Sequence, residues 1–113
     1  NADVLKELGA VKQGLADHIR MDDERNADEH RARIFRFNNE LLRDIPHTKE
    51  EFIDILADID YYERYCDENK GYKNNRASHA IANISRVYDD RLQEHDFLAS
   101  SSNERDTEDT LDT

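Results

Sequence analysis

Apolar residues recur at three- and four-residue steps along most of this chain, and a helix places residues at those steps on one face. The stripe has one long interruption. From Met21 to Arg33 it is reduced to Met21 itself and two alanines, while Asp, Glu and Arg dominate and Gly and Pro are absent. A helix with no apolar face needs a partner, an ion network or a bend. The pattern therefore predicts an all-α fold. A long amino-terminal helix, either continuous or broken near 22–26, is followed by an antiparallel helical hairpin, and together they make a small three- or four-helix bundle.

Before the interruption, Val4, Leu5, Leu8, Val11, Leu15 and Ile19 form the first stripe. Asp3 is placed to cap it, and Gly9 and Gly14 each weaken it by about 1 kcal/mol relative to Ala. Positions 4, 8, 11, 15 and 18 or 19 alternate steps of four and three, which is the spacing of a heptad seam. Two arrangements fit. In one, a single long helix has a solvent-exposed middle laced by pairs such as Glu24 or Asp28 with Arg31. In the other, the chain bends near Asp22 or Asn26 and packs Leu8 and Leu15 on Ile34 and Phe37. Pairs of that kind contribute only a few tenths of a kcal/mol each. The stripe is thus expected to find its partner in another chain, with Leu8, Val11, Leu15 and Ile19 as a self-assembly interface.

After the interruption the helical face returns through Ile34, Phe37, Leu41, Leu42 and Ile45, and Pro46 ends it. Thr48 and Glu51 have the spacing of a capping box. Phe52, Ile55, Leu56, Ile59, Tyr62, Tyr65 and Cys66 follow on one stripe. Asn69-Lys70-Gly71 should stop it, with Gly71 suited to a left-handed position. A turn through Tyr72 to Asn75 leads to Ala77, Ala80, Ile81, Ile84, Val87, Tyr88 and Leu92, and Phe97-Leu98 should fold back as an apolar clasp. The expected core is Ile34, Phe37, Leu41, Phe52, Leu56, Ile59, Tyr62, Cys66, Ile81, Ile84, Tyr88 and Leu92. The organisation expected is an assembly segment over 1–20, a polar helix or bend over 21–33, a bundle core over 34–98 and an acidic disordered tail over 99–113.

With 113 residues the chain suffices for one small domain. After Leu98 its only large apolar residue is Leu111, so the tail cannot bury enough surface to offset its ordering entropy. Net charge is -11, of which -2 falls on Asn1 to Ile45, -5 on Pro46 to Leu98 and -4 on the tail. Such a surface repels phosphates, and no Lys/Arg cluster with interleaved aromatics is present, so direct nucleic-acid binding is not expected. A basic protein partner is compatible with this charge, and so is mimicry of a nucleic acid. No apolar run approaches the roughly 20 residues needed to cross a membrane, and a soluble protein is expected. The opening Asn1-Ala2, without Met, points to an expression scar or a fragment boundary.

Side chains capable of chemistry are scattered. Asp54, Asp58 and Glu51 can share a helix face, but a solvated face explains them without a metal, since no oxygen-ligand loop surrounds them. His18, His30, His47, His79 and His95 fit no metal spacing. Ser78, Ser85 and Cys66 lie on no nucleophile motif, and Cys66 reads as a small buried hydrophobe. Neither an enzyme nor a cofactor site is expected. Of the tyrosines, Tyr61 lies off the Ile55-Ile59-Tyr62 stripe. It is expected to be exposed and, with Asp54 and Asp58, to serve partner docking.

Tyr65-Cys66-Asp67-Glu68, Gly71 to Ala77, Ile84-Ser85-Arg86-Val87-Tyr88 and Glu94 to Leu98 resemble small helical proteins encoded by phages and prophages of Gram-positive bacteria. The resemblance spans Tyr61 to Leu98. It implies a virion-associated or accessory helical protein without enzymatic residues, often with a variable or coiled-coil amino-terminal segment, located in the host cytoplasm or the virion. The function expected is therefore structural or accessory, through self-assembly and protein–protein interaction. The alternative is an acidic inhibitor or regulator of a basic host protein.

Overall fold

The computed structural model describes residues 2–99 and contains three helices, α1 (Ala2–Leu42), α2 (Lys49–Glu68) and α3 (Ser78–Glu94). The protein is an all-α, three-helix bundle with no sheet among the described residues. The acidic tail expected over 99–113 lies, apart from Ala99, outside them.

The first helix is continuous through the polar interruption, 41 residues that span about 60 Å at 1.5 Å per residue. Leu8 and Leu15 accordingly do not fold back onto Ile34 and Phe37. Only the carboxyl-terminal part of α1 belongs to the bundle, whose core runs from Ala27 onward. The buried cluster thus begins ahead of residue 34, where the bundle core was expected to start. Ala27 is 0% exposed and belongs to the same buried cluster as Ile34 and Phe37.

Helix α1 ends in a Schellman arrangement. The amide of Ile45 donates to the Glu40 carbonyl at 2.9 Å, the amide of Asp44 to that of Leu41 at 3.0 Å, and Asp44 holds φ 58°. Pro46 follows, the chain reverses, and α2 starts on the capping box read from the sequence. Thr48 Oγ1 accepts from the Glu51 amide at 3.1 Å, and Glu51 Oε1 accepts from the Thr48 amide at 2.9 Å. Helix α2 runs antiparallel to α1, since Phe37 meets Phe52 and His30 meets Asp58. It ends at Asn69 with φ -133°, and Gly71 has no positive φ, contrary to the left-handed role expected of it. Among the described residues the left-handed positions are Asp44 and His95 instead.

Helix α3 returns antiparallel to α2, placing Tyr88 against Phe52 at 5.8 Å between ring centroids. It packs alongside α1, where Asn83 Nδ2 donates to Asn38 Oδ1 at 2.7 Å. Of the expected core, Ile34, Phe37, Phe52, Ile59, Tyr62 and Ile84 are buried. Leu41, Leu56, Cys66, Ile81 and Tyr88 are half-buried against them. Leu92 is not core: it is 42% exposed. Tyr88 already faces Phe52 in the first turn of α2, so one turn further on α3 has no α2 beside it. Leu42 and Ile45, at the end of the α1 stripe, are exposed for a similar reason.

Phe97 fills the end of the bundle in place of Leu92. Its ring lies 5.5 Å from Phe52 and 5.7 Å from Tyr88, and the Leu98 amide donates to the His47 carbonyl at 3.0 Å. The clasp thus ties the end of α3 to the α1–α2 corner. Tyr72 closes the opposite end. It lies in the α2–α3 turn, as expected, but its side chain is buried, with the ring 5.0 Å from Tyr65 and 6.3 Å from Tyr62. Offset and edge-to-face pairs of this kind add about 0.5–1.5 kcal/mol each beyond their buried area.

Candidate interaction surface

Two parts of α1 stand out, and they behave oppositely. Over residues 4–21, Val4, Leu5, Leu8, Val11, Leu15, Ile19 and Met21 are each 52 to 69% exposed. The four residues expected as a self-assembly interface are all among them, on one side of the helix. The polar groups here pair along the same helix: Gln13 Nε2 donates to Asp17 Oδ1 at 3.0 Å, and Arg20 meets the same oxygen at 2.6 Å. Exposed pairs such as these contribute about 0–1 kcal/mol each. The exposed apolar surface is concentrated along one stretch of the helix rather than scattered singly.

The polar stretch from Asp28 to Arg33 is not a solvated linker. It is a docking face for the hairpin, built from charge and hydrogen bonds. Asp58 receives a bidentate contact from Arg33, Nε to Oδ2 and Nη2 to Oδ1, both at 3.1 Å. His30 Nδ1 lies 2.5 Å from Asp58 Oδ1 and 2.8 Å from Arg33 Nη2, so the ring sits between the carboxylate and the guanidinium. Burial alone would push the Asp58 carboxyl up, but the hydrogen bonds from Arg33 and His30 outweigh it and hold the group below the usual carboxylate range. The Tyr61 ring lies 4.1 Å from that of His30. Of the three residues expected to dock a partner, Asp58 is therefore held in an internal ion network with its side chain 18% exposed. Tyr61 is half-buried over His30, and only Asp54 remains on the surface.

One turn earlier, Asp28 Oδ1 accepts from the Tyr72 hydroxyl at 2.5 Å and from Asn74 Nδ2 at 2.9 Å. These two bonds hold the Asp28 carboxyl below its ordinary value. Burial and the bond to Asp28 push the Tyr72 phenol up. Tyr62 donates its hydroxyl to the Asn74 carbonyl, and burial pushes that phenol up to about 12. The polar part of α1 thus reads the α2–α3 turn directly.

Sequence reasoning missed His47. Its side chain is buried at the α1–α2 corner, stacked on Phe37 at 4.1 Å. Its Nε2 lies 3.2 Å from Glu40 Oε1 and its Nδ1 3.3 Å from Glu51 Oε2. The available signal was the i,i+4 spacing of His47 and Glu51 across a helix start. His79 is exposed. Burial raises the Cys66 thiol above its ordinary value, which leaves it less reactive.

A groove of about 570 Å³ opens beside the corner, floored by Leu41, Phe52 and Val87 and rimmed by Leu42, Ile45 and Leu98. Its arginines are committed, Arg86 to Asp90 at 3.3 Å and Arg91 to Asp96 at 2.9 Å. Among the described residues no group of three or more His, Cys, Asp or Glu side chains is arranged to hold a metal ion. No described helix is long and apolar enough to cross a membrane. Comparison with protein-family models, with curated proteins and with solved structures found no match. The resemblance over Tyr61 to Leu98 therefore gains no support from relatives.

Proposed function

We propose that this protein is a non-enzymatic assembly protein, in which the first half of α1 associates with further copies of the chain and the bundle is the body so displayed. The observation that carries the reading is the row of large apolar side chains from Val4 to Met21, more than half exposed, on a helix anchored by its other end. Isolated helices are marginal in water, and an amphipathic one is stabilised chiefly by packing its apolar face. Charge favours a second copy as the occupant. Asp3, Glu7 and Asp17 balance Lys6, Lys12 and Arg20, so the first 20 residues are neutral while the rest of the chain carries the whole -11. Two copies meet there without repulsion. A role as an accessory or structural component of a phage particle rests on the resemblance over Tyr61 to Leu98 alone. The acidic-inhibitor alternative keeps only net charge in its favour, because Asp58 is committed inside the molecule.

Light scattering over a concentration series tests the proposal. Mass should rise with concentration, and Leu15→Asp, which touches nothing in the bundle, should return the chain to a monomer with an unchanged melting temperature. A monomer at every concentration rules self-assembly out.

A further inference from the structure

We infer that the α1 helices associate parallel and in register, in a bundle of more than two. The inference rests on the self-assembly reading above and concerns its geometry. The seam assigns heptad positions without freedom. The steps 4, 8, 11 and 15 make Leu8 and Leu15 a positions and Val4 and Val11 d positions. Leu5, Lys12 and Ile19 are then at e, and Glu7, Gly14 and Met21 at g.

Stoichiometry follows from the shapes at a and d. β-Branched residues at a with Leu at d favour two strands, and the reverse, Leu at a with a β-branched residue at d, shifts the preference to higher numbers. This chain has the reverse at both of its heptads. Leu5 and Ile19 at e widen the apolar face beyond the two-position seam that a dimer covers, and both are more than half exposed. A dimer would leave them in water.

Orientation follows from the flanks. In a parallel, in-register pair a g residue faces the e′ residue five positions later in its neighbour. Glu7 then meets Lys12 of the neighbouring copy, an opposite-charge pair. Among the described residues neither has an ion-pair partner within its own chain. Gly14 meets Ile19 of the neighbouring copy, where the absent side chain leaves room for a branched one. Nothing lies within 4 Å of a Cβ built on Gly14, so no contact inside the chain requires a glycine there. An antiparallel pair about the centre of the seam loses both matches and sets the Lys12 side chains near one another. The seam closes at its carboxyl end with His18 at d and Asp22 at a, which confines the contact to about two heptads and makes it concentration-dependent.

Sedimentation equilibrium of the full chain reads the stoichiometry. The limiting mass should be three or four times the 13.3 kDa of one chain. In a Cys66→Ser background, Leu8→Cys should oxidise to a cross-linked pair within the assembly. Glu7→Lys or Lys12→Glu alone should raise the concentration for half-assembly severalfold, and the double exchange should restore it. These surface changes leave the bundle untouched and keep the test valid if the cysteine variant folds poorly. A dimeric limit overturns the inference and leaves self-assembly standing. So does cross-linking found only when Leu8→Cys and Leu15→Cys chains are mixed. A strict monomer overturns both.

Discussion

Asp44 and His95 show how much a single residue's backbone can cost in this fold. Each ends a helix at φ near +55° to +58°, a conformation that crowds Cβ against the following carbonyl. Asp is one of the side chains that tolerates it, and His is enriched there as well. The residue the sequence offered for that task, Gly71, sits in an ordinary turn. The left-handed position at 95 is dictated by the clasp, because the chain must reverse at once for Phe97 to reach Phe52. His95 is exposed and has no side-chain bond to lose. His95→Gly should therefore stabilise the protein by up to about 1 kcal/mol, the relief of strain being partly offset by the entropy of glycine. Urea unfolding would show it as a higher midpoint at constant slope.

At the scale of elements, α1 carries two kinds of surface, an exposed apolar stripe and a polar face packed on the hairpin, and this decides what was legible in the sequence. The three helices, the capping box at Thr48 and the Phe97-Leu98 clasp follow from spacing, because apolar periodicity reports burial directly. The Asp28-to-Arg33 face escaped for the complementary reason. His30, Arg33 and Asp28 find partners 25 to 46 residues away, and charge along a helix looks the same whether it meets water or an opposite charge on another helix. For that reason the sequence presents Tyr61 and Asp58 as surface groups. A core held partly by carboxylates has a consequence in acid. Asp28, Glu51 and Asp58 all titrate below their ordinary values in the folded protein. A carboxyl depressed on folding contributes stability that is full above its unfolded value, near 3.8 for Asp and 4.5 for Glu, and is lost as pH falls through the folded value. The melting temperature should thus hold from neutrality to about pH 5 and then fall steeply. Asp58→Asn should lower it at neutral pH and flatten the acid limb.

On the scale of the whole molecule, the exposed apolar stripe and the bundle share one unbroken helix. The principal extents of 77 × 29 × 19 Å reflect that long arm. Because no loop or Gly interrupts residues 15–42, rotation is transmitted along with distance. On an ideal helix the stripe and the bundle-facing side of α1 point roughly 70° apart at 100° per residue. Residue count between them is therefore an angular setting. One alanine inserted between Arg25 and Asn26 should turn every bundle by about 100° about its arm and move it outward by about 1.5 Å, leaving the seam intact. Seven alanines, close to two full turns, should nearly restore the original facing some 10 Å further out. Sedimentation should find the same stoichiometry for both insertions, while small-angle scattering should find different shapes. The polar stretch that looks like a gap in the sequence therefore sets the angle at which, in the proposed assembly, each bundle would face away from its arm.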